Sequence, residues 1–290
     1  MERVWGARRL ETHFGKQLPG GLRIGESWEL VDREDAQSVV EDGPHAGVTL
    51  HELWRDHREA VFGPVADAPR FPLLLKILDC AEVLSVQVHP PSHAAHSLGG
   101  EPKTEMWYVA HAEPGSAIFA GLKKGATREA FEQAMHGAGV EGCLHQVPTR
   151  AGDAMFIPSG RVHAIGGGNL IVEVQQNSDT TFRVYDWGRP RELHIAESMA
   201  SIDFDDFEPS LAERQGEQVV HCELFDVAHW SVDAPRAVDG LTFVIGIVLT
   251  GAVECAGSMF SKGDTFLLPA TMSQRVLSTT EPGTTLLRIK

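Results

Sequence analysis

Gly152-Asp153-Ala154-Met155-Phe156-Ile157-Pro158-Ser159-Gly160-Arg161-Val162-His163 is the stretch on which the reading of this chain turns. Glycine and proline punctuate a short apolar run, Ala154 to Ile157, as they do around a buried strand. The segment then ends on a histidine. Further along, Gly263-Asp264 and Pro269 repeat its spacing with apolar residues between. The position matching His163 is Gln274 there, and no histidine-rich strand precedes it. An echo of this kind predicts two β halves, one equipped for a metal and one not.

Upstream lies Leu84-Ser85-Val86-Gln87-Val88-His89, a strand-like run. Side chains two apart on a strand share a face, so Gln87 and His89 point the same way. Glu105 opens another apolar stretch, Glu105-Met106-Trp107-Tyr108-Val109. With His163 these residues form a mixed nitrogen and oxygen set that suits a borderline divalent ion, zinc above all. The glycine, proline, glycine and histidine spacing of 152 to 163 resembles the second cupin motif. The expected fold is therefore mainly β, with two cupin-like (jelly-roll) β-barrels, a few helical insertions, and one Zn2+ per chain in the first barrel. Residues 1–205 are expected to form the metal-binding catalytic domain and residues 206–290 a second barrel lacking ligands. The acidic stretch Asp203-Phe204-Asp205-Asp206-Phe207-Glu208-Pro209 reads as part of the connector.

Composition bounds the rest. The 290 residues are 42% hydrophobic and 22% charged, as in an ordinary globular protein. A net charge of −15 argues against nucleic acid or an anionic membrane as partner. A small anion in a local pocket is not excluded. Cys80, Cys143, Cys222 and Cys255 form no CxxC pair and read as reduced thiols. No signal-like segment opens the chain and no apolar run spans a membrane, so a cytoplasmic protein, monomer or homodimer, is expected.

Apolar runs are short and β-branched, such as Asn169 to Val174, Leu241 to Leu249 and Thr284 to Ile289. Helical signals are few. Thr49-Leu50-His51-Glu52 has capping-box form and predicts a helix to about Val61. Thr127 caps a second, Arg128 to about His136, and a third is expected over Ile195 to Ala200. Gly166-Gly167-Gly168 reads as a hairpin turn rather than a phosphate loop, since nothing helical follows.

Several charged residues sit where charge is costly. Lys76 lies inside Phe71-Pro72-Leu73-Leu74-Leu75-Lys76-Ile77-Leu78, and must snorkel or meet an anion. Lys103 is two residues before Glu105 and on a strand would share its face. Arg183 offers planar bidentate contact to phosphate or carboxylate. Glu173, within Leu170-Ile171-Val172-Glu173-Val174, is a candidate buried carboxylate of raised pKa. Glu26 is a further carboxylate that can face a pocket.

The runs Gly25-Glu26-Ser27-Trp28-Glu29-Leu30, Ser85-Val86-Gln87-Val88-His89-Pro90, Lys103-Thr104-Glu105 and Ser178-Asp179-Thr180-Thr181-Phe182-Arg183, in this order with His163, resemble the type I mannose-6-phosphate isomerases in their short bacterial form. The resemblance extends over nearly the whole chain. It implies a zinc-dependent aldose–ketose isomerase that interconverts mannose 6-phosphate and fructose 6-phosphate through a cis-enediol. It implies Gln87, His89, Glu105 and His163 as metal ligands, and Arg183, Lys103 and Glu173 as catalytic residues. Ser85, Lys76 and Glu26 are the expected substrate contacts. Two departures from the long form stand out. Its histidine before the lysine is Pro102 here, and the tyrosine two residues after the last ligand is Ile165.

For proton transfer Lys103 is favoured slightly over Glu173, because a metal held by Glu105 would lower the lysine pKa. Desolvation fits Glu173 as well. The rival outside catalysis is a metal-binding cupin that senses a sugar or sugar phosphate. A cupin oxygenase fits less well, since it favours a histidine-rich iron site.

Overall fold

The computed structural model describes residues 1–290 apart from His136 and Ala138. The architecture is mainly β with short helices, as expected from the punctuated apolar runs. The chain divides into two compact units that interleave along the sequence. The first comprises Met1–Arg8, Gly21–Ser27 and Lys76–Ala212; the second comprises Arg9–Gly20, Trp28–Leu75 and Glu213–Lys290.

Two five-stranded sheets frame the candidate site. One runs in the order Glu26–Leu30, Leu73–Cys80, Asn169–Gln176, Glu105–Ala112, Ala154–Ile157. The other runs Phe182–Tyr185, Val86–Val88, His163–Ile165, Ala117–Leu122, Leu144–Pro148. Alternation along each strand sorts the residues onto two faces. Leu78, Trp107, Val109, Met155, Ile157 and Ile171 from the first sheet meet Ile118, Ala120 and Ile165 from the second in one apolar core. The outer face of the second sheet, with Val86, Val88, Phe182 and Val184, packs against Phe131, Met135, Val140 and Met199. These last come from the helices Arg128–Met135, Val140–Cys143 and Ile195–Ser201. Gln87 and Arg183, between those outer residues, therefore face the interior.

In the second unit one five-stranded sheet runs Gln218–His221, Asp226–Ser231, Thr285–Ile289, Val244–Thr250, Thr265–Leu268. The echo seen in the sequence is one turn built twice. Gly152 and Gly263 both adopt positive φ, +94° and +92°. The following aspartate then folds back: Asp153 Oδ2 accepts from the Arg150 amide and Asp264 Oδ2 from the Ser261 amide, each at 2.8 Å. Glycine removes the steric penalty of that left-handed step.

Thr49 and Glu52 form the expected capping box, worth about 1 kcal/mol. The helix stops at Asp56, and a second short helix, Arg58–Phe62, follows His57. The second predicted helix is Arg128–Met135; His136, its expected end, lies outside the described residues. The reading of Gly166-Gly167-Gly168 as a hairpin turn is corrected. The strands it joins, His163–Ile165 and Asn169–Gln176, belong to different sheets, so the glycines turn a corner. A Cβ on Gly166 would lie 2.3 Å from the Ala117 carbonyl oxygen, so close backbone approach selects glycine there.

Candidate metal centre

The second sheet supplies a row of three opposed residues. His163 pairs directly with Gln87, and Gln87 on its other side with Arg183. Residues opposed across an antiparallel pair project from the same face, which places all three in the interior. His89 follows Gln87 by two positions on that face, and its carbonyl accepts from the Gly160 amide at 2.9 Å. Glu105 enters from the other sheet, opposite Ile157 and Gln175, at the head of the face that continues with Trp107 and Val109.

His89, Glu105 and His163 are fully buried and bring one ligand atom each within 4.8 Å of one another. His89 Nε2 lies 3.4 Å from Glu105 Oε2, and His163 Nε2 lies 3.6 Å from Glu105 Oε1. A tetrahedral ion with bonds of about 2.1 Å has ligand–ligand edges of about 3.4 Å, so this spacing fits zinc. Each imidazole is anchored through its other nitrogen. His89 Nδ1 is 2.9 Å from the Thr180 carbonyl oxygen and His163 Nδ1 is 2.8 Å from that of Arg161. A carbonyl accepts, so Nδ1 carries the proton and Nε2 keeps its lone pair. Neither Nε2 nor Glu105 Oε1 has a hydrogen-bond partner among the described residues, and Oε2 meets only the Lys103 ammonium. Leaving such atoms buried costs about 1–3 kcal/mol each unless something satisfies them, and a cation does so for all at once.

Electrostatics set the protonation states a ligand set needs. Burial pushes the His163 imidazole down to about 3, with His89 adding to the fall. Burial lowers His89 too, helped by Lys103. Burial opposes ionisation of Glu105, but Lys103 and the two imidazoles outweigh it and hold the carboxyl well below its usual range. Neutral imidazoles beside a carboxylate are the metal-binding forms.

The predicted site residues gather around this centre. Lys103 Nζ is 2.8 Å from Glu105 Oε2, and both are buried. Burial works against its charge, yet Glu105, Glu173 and Asp179 together hold its pKa above the ordinary lysine value. Lys76 does not snorkel: it is buried, 3.9 Å from Glu173 Oε1 and 3.5 Å from Asp179 Oδ1. Glu173 Oε2 accepts from the Trp107 indole at 3.1 Å. Burial pushes the Glu173 carboxyl up to about 7, Glu105 adds to the rise, and Lys103 and Lys76 oppose it. Arg183 donates through its guanidinium to the Glu192 carbonyl at 2.8 Å, while its buried Nε has no partner among the described residues. Ser85 is buried just ahead of the Val86–Val88 strand. Glu26 is gripped by Arg3 at 2.8 and 3.1 Å.

Three supporting residues were not singled out from sequence. Trp107 touches Glu173 and sets its ring edge against His163 at 5.3 Å. Its place two residues after Glu105 on a strand was the available signal. Asp179 pairs with Lys76, and Asp206 holds Arg161, whose carbonyl anchors His163. Those contacts span long stretches of chain and leave no local pattern.

Known proteins agree with this picture. Residues 1–101 match the family described as phosphomannose isomerase type I, catalytic domain. The mannose-6-phosphate isomerase ManA of Bacillus subtilis is 37% identical over 295 residues, covering 92% of this chain and 90% of that protein. A mannose-6-phosphate isomerase of Streptococcus mutans is 36% identical over 292 residues, covering 93% of this chain and 90% of its own length. A crystal structure of the Bacillus subtilis mannose 6-phosphate isomerase superposes with a TM-score of 0.89 at 32% identity, covering 100% of this chain and 96% of that one. A mannose 6-phosphate isomerase bound with zinc and yttrium shares the fold at 17% identity and a TM-score of 0.80. The described helices include none long and apolar enough to cross a membrane. With a metal cradle between its two sheets and this similarity along nearly its full length, the chain belongs to the type I phosphomannose isomerase family.

Proposed function

We infer that the chain is a zinc-dependent isomerase interconverting mannose 6-phosphate and fructose 6-phosphate through a cis-enediol. The observation that carries this is the placement of a buried carboxylate and a buried guanidinium nitrogen on the interior faces that hold the metal cradle. Gln87, His89, Glu105 and His163 would hold zinc, which when bound would supply Lewis-acid polarisation at the reacting end of the sugar.

The remaining chemistry belongs to side chains. Glu173 takes the C2 proton as a carboxylate and returns it to C1, while the proton of the C2 hydroxyl passes to O1. Burial places its pKa near neutrality, where one group can both accept and donate. Lys103, whose ammonium is engaged by Glu105, stays charged and stabilises negative charge near the reacting carbons. Arg183 meets the developing oxyanion through its unpartnered Nε. Ser85 and Lys76 hold substrate oxygens, and Glu26, fixed by Arg3, shapes that side of the site. Binding energy at the remote phosphate steadies the sugar during proton transfer. The strands from Gln218–His221 to Thr285–Ile289 build a second cupin-like barrel without ligands, its span beginning after Ala212 rather than at residue 206. The protein is cytoplasmic, works as a monomer or homodimer, and binds no nucleic acid. A non-catalytic sugar-phosphate sensor is not favoured, because it has no use for a proton carrier of this kind.

Exchange of the C2 proton of mannose 6-phosphate in heavy water tests the assignment. Glu173→Gln is expected to abolish exchange, whereas Lys103→Ala slows turnover but retains exchange. Normal exchange in Glu173→Gln with none in Lys103→Ala would reverse the roles. Arg183→Ala is expected to lose at least about 100-fold in kcat/KM.

A further inference from the structure

We propose that Trp107 is a positioning residue of the isomerase site, aiming the Glu173 carboxylate through its indole N–H. The proposal rests on Glu173 being the proton carrier. A buried tryptophan needs a partner for its single donor. Trp54 and Trp187 satisfy theirs on backbone carbonyls, of Ala68 at 2.8 Å and of Leu84 at 2.6 Å. Trp107, 1% exposed, instead donates to an ionisable side chain that is itself 4% exposed. The two stand directly opposite each other where Glu105–Ala112 pairs with Asn169–Gln176. The indole occupies Oε2 and leaves Oε1 on the Lys76 side, 3.9 Å from its Nζ. The same ring sets its edge on His163 at 77°. One rigid side chain thus fixes the base relative to a candidate metal ligand.

The indole can only donate, so it favours ionised Glu173. The other charges acting on Glu173 are Lys76 from the adjoining strand, Lys103 and Glu105 ahead of Trp107, and Glu26, while Asp179 stands beside Lys76 and acts on Lys103. Trp107→Phe leaves all of these in place and keeps an aromatic ring against His163.

The test is the pH profile of kcat/KM for the zinc-loaded enzyme. Trp107→Phe is expected to move the acid limb up by about one pH unit and lower kcat about tenfold at neutral pH, with KM within about twofold. On the residual turnover of Glu173→Gln the same substitution should have no further effect. An unmoved acid limb, or an equal loss in both backgrounds, overturns the proposal. Near-normal turnover by Glu173→Gln alone is a different failure, that of the Glu173 assignment. Should Trp107→Phe not fold, the wild-type holoenzyme still decides the matter. One indole 1H–15N resonance should titrate with the midpoint of the acid limb and cease to do so in Glu173→Gln. Indole resonances that all ignore that midpoint contradict the proposal.

Discussion

Gln87 stands directly opposite His163 across an antiparallel pair, on the interior face of its sheet. That register puts Gln87 on the interior face that carries His163, as its two-residue step from His89 led one to expect, and its amide oxygen is the ligand proposed there. Gln87→Leu keeps the volume and removes the oxygen. Zinc affinity is expected to fall at least about tenfold, read by competition with a chromophoric chelator, while far-UV circular dichroism is unchanged. Unaltered affinity would remove Gln87 from the ligand set.

Arg161 binds Asp206 with two parallel hydrogen bonds, at 2.7 and 2.8 Å, and its own carbonyl accepts from His163 Nδ1. The acidic segment after residue 202 thus steadies a candidate ligand at one remove. Asp206→Asn is expected to weaken zinc binding by about tenfold through looser orientation of His163. The same chelator competition checks this, and no change would mean that the Pro158–His163 turn holds the imidazole unaided.

Glu173 is buried as a carboxyl whose pKa rises from an ordinary 4.5 to about 7 in the folded chain. A group with a raised folded pKa binds protons more tightly when folded. Its contribution to stability is therefore full below about pH 4.5 and is lost as pH climbs through 7. On the chelated protein, Glu173→Gln should gain stability relative to wild type between pH 5 and pH 8, by at most about 3 kcal/mol. Denaturant melts at the two pH values measure it. A difference that does not change with pH would mean that the carboxylate is ionised throughout.

Much of this site was legible in the chain. The spacing from Gly152 to His163 marked a strand, a turn and a candidate ligand, and the two-residue step from Gln87 to His89 predicted a shared face. Glu173 was harder to place because Asn169–Gln176 is buried along both faces and so shows no clean alternation. Lys76 sits in Leu73–Cys80, which is buried throughout, so its partners Glu173 and Asp179 emerge only from the sheet order. The preference for Lys103 as proton carrier drew on its nearness to Glu105. That nearness holds and engages the ammonium in an ion pair, and the buried Glu173 carboxyl, raised to about 7, is the carrier proposed in its place. The capping helix ran past its end for a simpler reason: helical signals continue beyond Asp56, while the backbone at His57 leaves the helical region.

Conversion of mannose 6-phosphate to fructose 6-phosphate by the chelator-stripped protein, before and after zinc is restored, tests the central claim most directly. The cradle of His89, Glu105 and His163 predicts loss of turnover on stripping and recovery with about one equivalent of zinc per chain. Undiminished turnover by protein shown to be free of metal would contradict it.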